Sequence, residues 1–134
     1  MKIAFITFDG RIIGTGHLFR CLAIADWIKQ LESNVEISFH LYDSGFEEQD
    51  KALEILNSRS SYISNIQDNN SIKELDFETV VLDLLDTPFD FMSLIKKRSK
   101  FLVSIDNVSS SRRLSNIAIN PLYYRINKNK INED

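Results

Sequence analysis

Residues 1–31 place a short apolar run, a glycine-rich turn and a long apolar helical pattern directly one after another. The run KIAFITF is short, β-branched and aromatic, which is typical of a buried strand. From His17 to about Leu31, apolar residues recur at helical spacing, and Phe19 and Trp27 are expected to widen the apolar face. So broad a stripe suits a helix packed against a sheet, and the segment therefore predicts an α/β fold.

The alternation of strand and helix patterns continues along the chain. Further strands are predicted by VEISFHL (35–41), SYISNI (61–66), TVVLDL (79–84), FLVSID (101–106) and NIAIN (116–120). Helices are predicted by FEEQDKALEILN (46–57) and by FDFMSLIKKRSK (89–100), which follows Pro88. Continuously apolar strands between helices indicate a parallel sheet covered on both faces. We expect a Rossmann-like doubly wound sheet. If its order is 3-2-1-4-5-6, the ligand crevice lies between the first strand and TVVLDL.

Length and composition fit one α/β domain, residues 1–124, followed by a polar tail or linker at 125–134. A hydrophobic content of 43 % in 134 residues supplies a core. The opening lacks a secretory h-region, and no apolar run reaches the roughly 18–20 residues of a membrane span, so we expect a cytoplasmic protein. The net charge of −3 argues against a general nucleic-acid binder. One cysteine and two histidines argue against a zinc cluster, and we expect neither metal nor cofactor.

The glycine turn before the first helix is a candidate ligand site. Gly14 and Gly16 would let the backbone approach a ligand because they have no Cβ, Thr15 between them is a candidate substrate-binding residue, and the helix N-terminus offers unpaired N–H groups. His17 would stand in the first helical turn, where the helix dipole favours a neutral imidazole that can act as a general base. Alternatively, the glycines only close a tight turn and His17 caps it. The G-x-G-H spacing matches neither the dinucleotide fingerprint nor a P-loop.

Polar residues after two later strands face the same predicted crevice. Asp83 and Asp86 could accept hydrogen bonds from a ligand in this crevice, although Asp86 could instead cap the next helix. Asp106 and Asn107 follow FLVSI in the same way, although such a pair is also ordinary turn chemistry.

Two further side chains lie on the first helix. Arg20, one turn after His17, could hold a phosphate or carboxylate with two hydrogen bonds, or it could form a structural ion pair with Asp9 or Asp83. Cys21 lies on the apolar stripe and is expected in the core.

The stretch IGTGHLFRCLAIA, residues 13–25, resembles the I-G-x-G-H-x-x-R-x-L-x-L-A signature of a known family. It is the family of nucleotide-sugar hydrolases and glycosyltransferase-like proteins related to the pseudaminic-acid-pathway hydrolase and the spore-coat polysaccharide protein SpsG. The resemblance continues through VVLDLLD, FLVSIDN and AINPLYY, and so covers residues 1–124. It implies the N-terminal domain of a GT-B fold, in which two Rossmann-like domains face each other across a cleft.

The same resemblance implies roles for individual residues. The histidine matching His17 would activate water that attacks the anomeric carbon and displaces UDP with inversion, without a metal ion. Gly14, Gly16 and Arg20 match the motif, and Asp9 lies where relatives have an aspartate in the first loop.

The function expected from this resemblance is the base-bearing half of a UDP-sugar hydrolase or glycosyltransferase in surface-polysaccharide or nonulosonic-acid biosynthesis. A nucleotide sugar would be the substrate. A second domain, in the same or a separate chain, would complete the site, so the chain alone should be nearly inactive and could self-associate. The alternatives are a non-catalytic sugar-nucleotide or anion-binding module and a phosphate-binding signalling domain with flavodoxin-like topology.

Overall fold

The computed structural model describes residues 1–8, 16–42, 50–59, 63–67 and 76–120. The strands there are β1 (Lys2–Thr7), β2 (Glu36–Leu41), β3 (Ile63–Gln67), β4 (Phe77–Asp83), β5 (Ser99–Ile105) and β6 (Ile117–Ile119). The α-helices there are α1 (Gly16–Leu31), α2 (Asp50–Ser58) and α3 (Phe89–Arg98), and a short 3-10 helix (Ser110–Leu114) precedes β6. Each predicted strand and helix has a counterpart, although residues 46–49 of the second predicted helix lie outside the described ranges.

The six strands form one parallel sheet in the order β3-β2-β1-β4-β5-β6. This is the order of a doubly wound Rossmann-like fold, and it confirms the predicted fold class. The flavodoxin-like alternative requires the order 2-1-3-4-5, so that prediction of topology is wrong. The direction of winding reverses at β1, whose neighbours are β2 and β4, and the ends of β1 and β4 therefore border the crevice expected at such a switch point.

Two hydrophobic cores lie on opposite faces of the sheet. Ile3 and Phe5 of β1 belong to the core that α1 and α2 cover, whereas Ala4 and Ile6 belong to the core that α3 covers. Because successive strand residues point to opposite faces and both faces are buried, the strand has to be apolar throughout. Asp83, at the end of β4, follows Val81 on the face of α1.

The apolar face of α1 is narrower than the sequence predicts. Leu18, Leu22 and Ala25 are buried against the sheet, but Phe19 and Trp27 are exposed. Helical geometry explains this difference, because residues one position away from the buried row point away from the sheet. Among the described residues, none of the helices has the length and apolar character needed to span a membrane.

The turns that follow β4 and β5 are tied together at the carboxyl edge of the sheet. The carbonyl oxygen of Thr87 accepts hydrogen bonds from the hydroxyls of Ser109 and Ser111, at 3.0 and 2.8 Å. The backbone N–H of Val108 donates to the carbonyl of Leu85 at 3.0 Å. These bonds fix the two turns relative to each other, beside the ends of the central strands.

Candidate functional site

His17 meets the end of β4 across the switch point of the sheet. It lies in the first turn of α1 and its side chain is 8 % exposed. Its Nδ1 atom is 2.6 Å from Oδ1 of Asp83, a residue 66 positions away in the chain. The ring also stacks on Phe8, with 4.9 Å between ring centroids. Contacts between α1 and β4 therefore fix the position and orientation of the His17 imidazole.

Asp83 is fully buried, and both of its oxygens are engaged. Arg20 donates from Nε to Oδ2 at 2.7 Å and from Nη2 to Oδ1 at 2.6 Å, a forked arrangement. Burial opposes ionisation of the carboxyl, but the hydrogen bonds from Arg20 and His17 outweigh it and lower the pKa of Asp83. The hydrogen bond to Asp83 also raises the pKa of Arg20. Asp83 is therefore a carboxylate at neutral pH.

The geometry determines which nitrogen of His17 carries the proton. A carboxylate oxygen 2.6 Å from Nδ1 requires a proton on Nδ1, since two lone pairs would otherwise face each other. The 3.1 Å approach of Arg20 Nη2 to His17 Nδ1 follows because both donors converge on the same oxygen. We assign Nε2 as the unprotonated nitrogen of the neutral ring, which is the tautomer a general base requires.

Asp106 is the second carboxylate of the cluster. It follows β5, and its backbone φ of 56° lies in the left-handed region. Its Oδ2 accepts one long hydrogen bond, 3.3 Å, from Arg20 Nη2. Its Oδ1 is buried and, within the described part of the chain, has no hydrogen-bond partner. Two carboxylates thus share one guanidinium.

Cys21 also lies against this cluster, with its Sγ 3.7 Å from Oδ2 of Asp83. Burial raises the pKa of its thiol, so it is an unreactive core residue at neutral pH, and the prediction of a core position is confirmed.

Four predicted site residues come together in this cluster: His17, Arg20, Asp83 and Asp106. The structural alternative for Arg20, an ion pair with Asp83, is present. The direct bond between His17 and Asp83 was not predicted. Alternate residues of a strand point to the same face of the sheet, so Asp83 points towards α1 as Val81 does. This alternation in β4 could have indicated the bond between His17 and Asp83. Both oxygens of Asp83 accept hydrogen bonds from His17 or Arg20, and its predicted hydrogen bond to a ligand stays a prediction.

The two other predicted polar residues, Asp86 and Asn107, lie on the turns after β4 and β5, outside this cluster. Asp86 is exposed on the turn after β4. It does not cap α3, whose N-cap residue is Pro88 and lacks a side-chain cap bond, because proline already sets the backbone there. Asn107 is buried and holds its own turn: it donates to Ser111 Oγ and accepts from Ser109. The turn-chemistry interpretation therefore describes Asn107.

Only part of the glycine turn can be placed. Asp9, Gly14 and Thr15 lie outside the described residues. Gly16 begins α1, its φ is not in the left-handed region, and a Cβ added there would meet nothing within 4 Å. A positive φ is therefore not the reason for glycine at this position, and a Cβ would fit there without a clash.

No group of three or more His, Cys, Asp and Glu side chains that could hold a metal ion occurs among the residues the structure describes.

A comparison with known proteins found an uncharacterized relative. The chain is 29 % identical over 128 residues to an uncharacterized protein of Methanocaldococcus jannaschii, and the alignment covers 91 % of this chain and 25 % of that protein. The chain thus spans about a quarter of the length of the curated relative it matches. No family model and no solved structure matches it. Fold and geometry therefore define the class: a Rossmann-like α/β domain with a buried His–Asp–Arg cluster at the switch point.

Proposed function

We propose that this chain carries the general base of a nucleotide-sugar hydrolase or glycosyltransferase of surface-polysaccharide or nonulosonic-acid biosynthesis, acting on a UDP-sugar. The observation that carries the proposal is the 2.6 Å bond between His17 Nδ1 and Asp83 Oδ1 at the switch point of the sheet. It leaves Nε2 free to accept a proton. The substrate class rests on the resemblance of the I-G-x-G-H motif.

In the proposed reaction, Nε2 of His17 takes a proton from water or from an acceptor hydroxyl. The oxygen of that group forms a bond to the anomeric carbon as the bond from this carbon to the diphosphate oxygen breaks. The electron pair of the broken bond leaves with UDP, and attack from the opposite side inverts the anomeric centre. The proton ends on His17, whose new positive charge faces the carboxylate of Asp83.

Arg20 has a positioning role in this mechanism. Its Nε and Nη2 donors are committed to Asp83, at 2.7 and 2.6 Å, and hold that carboxylate towards His17. The charge of the diphosphate then needs other donors. The N-terminus of α1 can supply backbone N–H groups, and we propose that a second domain, as in a GT-B arrangement, supplies the rest.

The test of the base is the rate of UDP release from UDP-N-acetylhexosamines by the chain joined to its second domain. His17→Ala should lower this rate by about 10²–10⁴-fold, the usual contribution of a general base. The matched control is His40→Phe, since His40 is buried in β2 and contacts Phe77, outside the cluster. An unchanged rate in His17→Ala would remove this residue from the chemistry. UDP binding without turnover in the unmodified protein would favour the non-catalytic binding module.

Two further measurements address the rest of the proposal. Because the resembled hydrolases act without a metal ion, UDP release should survive EDTA, and strict dependence on magnesium or manganese would contradict the assignment. The chain alone should bind UDP-sugars weakly in calorimetry and turn them over negligibly. Tight binding with steady turnover would instead show that one domain holds a complete site.

A further inference from the structure

Asp106 carries a hydrogen-bond acceptor that the described part of the chain leaves unsatisfied. The residue is 5 % exposed, and no partner for its buried Oδ1 is present there. An ionised carboxylate has about four acceptor sites, yet this one receives a single side-chain bond of 3.3 Å, from Arg20. Buried polar atoms are almost always paired, so an unpaired carboxylate oxygen in this cluster can accept a hydrogen bond from a donor outside the described part of the chain.

Arg20 does not compete strongly for this carboxylate. Its bonds to Asp83 are 2.7 and 2.6 Å long, and its contact with Asp106 is the longest of the set. The side chains of Arg20 and Asp106 are 27 % and 7 % exposed, so part of the cluster reaches the surface of the protein. Rotation of the Asp106 carboxylate about χ2 exchanges its two oxygens, so a donor group entering beside Arg20 can reach either of them.

The local charge determines what kind of group can enter. The cluster contains the two carboxylates of Asp83 and Asp106 and the single guanidinium of Arg20, so its net charge is −1 while His17 is neutral. A phosphate beside Asp106 would be repelled by this charge, whereas an uncharged hydroxyl can donate to it.

We propose that Asp106 is a specificity-determining residue that binds an uncharged sugar by accepting a hydrogen bond from one of its hydroxyls at Oδ1. The proposal rests on the proposed function in assigning His17 and Asp106 to the same substrate, but it concerns binding and not turnover. It puts the sugar against the ends of β4 and β5 and excludes the diphosphate from this place.

Two substitutions of Asp106 separate binding from folding. Glycine adopts a φ of 56° without strain, so Asp106→Gly removes both oxygens and leaves the turn intact. Asparagine also tolerates the left-handed region and keeps one acceptor oxygen, so Asp106→Asn retains the hydrogen bond but not the charge. The matched control is Asp76→Asn, which removes the same charge from an exposed residue just before β4, at the opposite end of this strand from Asp83.

The experiment is an NMR titration of the 134-residue chain. The probes are N-acetylglucosamine, N-acetylgalactosamine, N-acetylmannosamine and glucose, with inorganic phosphate as the charged comparison. At least one sugar should shift the Asp106 amide and the His17 ring resonances in the unmodified chain and in Asp76→Asn. Asp106→Gly should weaken binding of that sugar at least about tenfold, as expected for losing a bond to a charged group, and Asp106→Asn should be intermediate. Phosphate should leave the Asp106 amide unshifted.

Several results would overturn the proposal: equal sugar affinity in Asp106→Gly, no response to any of the sugars, or a phosphate-induced shift of the Asp106 amide. Thermal unfolding gives an independent test. Relief of an unpaired buried carboxylate should leave the Tm of Asp106→Asn equal to or above that of Asp76→Asn, and a clear fall would mark Asp106 as structural. No readout involves turnover. The proposal therefore stands or falls separately from the role of His17 as a base.

Discussion

Oδ1 of Asp83 accepts hydrogen bonds from His17 Nδ1 and from Arg20 Nη2, each 2.6 Å long. One oxygen atom therefore joins the candidate base to the cation that keeps Asp83 ionised. Both donors come from α1, one turn apart, and the acceptor comes from β4. The orientation of His17 thus depends on how α1 packs on the sheet.

Replacing Asp83 by asparagine should remove the orientation of His17. The amide can turn its NH₂ group towards Nδ1, which favours the tautomer with the proton on Nε2, the nitrogen that has to accept one. We expect kcat for UDP release to fall by about 10²–10⁴-fold with KM changed little. The control Asp76→Asn, at an exposed position just before β4, should retain the unmodified rate. A large rise in KM at unchanged kcat would instead make Asp83 a determinant of substrate binding.

Removal of Arg20 should cost stability, because it leaves a buried carboxylate without its cation. We expect Arg20→Ala to lower the free energy of unfolding by about 3 kcal/mol in urea titrations. Arg20→Lys should recover only part of this loss, since an ammonium cannot form the forked pair. The control is Arg59→Ala, which breaks an exposed ion pair with Asp26, 3.2 Å long, and should cost about 1 kcal/mol or less. Equal losses in both alanine variants would contradict the structural role of Arg20.

Burial lowers the pKa of His40 from 6.5 to about 4. The unfolded chain then binds more protons than the folded protein over this range, so stability falls as the pH drops from about 6.5 to 4. The lost free energy of unfolding should be about 3 kcal/mol between pH 7 and 4, from a shift of about 2.5 units. Urea unfolding should show this slope in the unmodified chain and a flatter one in His40→Phe.

Asp83 contributes to pH dependence in a separate window. Its pKa is lowered in the folded state, so its contribution is complete above the unfolded value of about 3.9 and is lost as the pH falls through the lower folded value. The His40 effect can therefore be read above pH 4. Parallel slopes for the unmodified chain and His40→Phe in that range would rule out a buried neutral His40.

Filling the space in front of Gly16 should affect ligand binding more than folding. A Cβ at this position meets nothing within 4 Å, and the backbone does not need a positive φ. Gly16→Val should change the free energy of unfolding by less than about 1 kcal/mol, whereas calorimetry should show weaker UDP-sugar binding. The affinity of Gly16→Ala for the UDP-sugar should lie between those of the unmodified chain and Gly16→Val. Unchanged affinity in the valine variant would show that a ligand does not approach this turn.

The sheet was predictable from sequence, whereas the central contact of the site was not. Continuous apolar runs such as that of β1 report burial on both faces, which is a local property. The bond between His17 and Asp83 joins residues that no local pattern relates. The sequence predicts Trp27 on the apolar face of α1, but this side chain is exposed. An apolar residue contributes to a helical pattern whether or not another element covers it, so the pattern alone does not determine burial.

The pairing of β1 with β4 also determines at which stage of folding His17 gains its hydrogen bond to Asp83. During synthesis, His17 leaves the ribosome long before Asp83, which follows 66 residues later. Until β4 docks beside β1, the imidazole has no buried carboxylate to fix its tautomer, and a nascent or locally unfolded chain carries only an ordinary surface histidine. The proposed activity is therefore a property of the closed sheet, and any event that detaches β4 from β1 abolishes it while leaving α1 and its sequence motif unchanged.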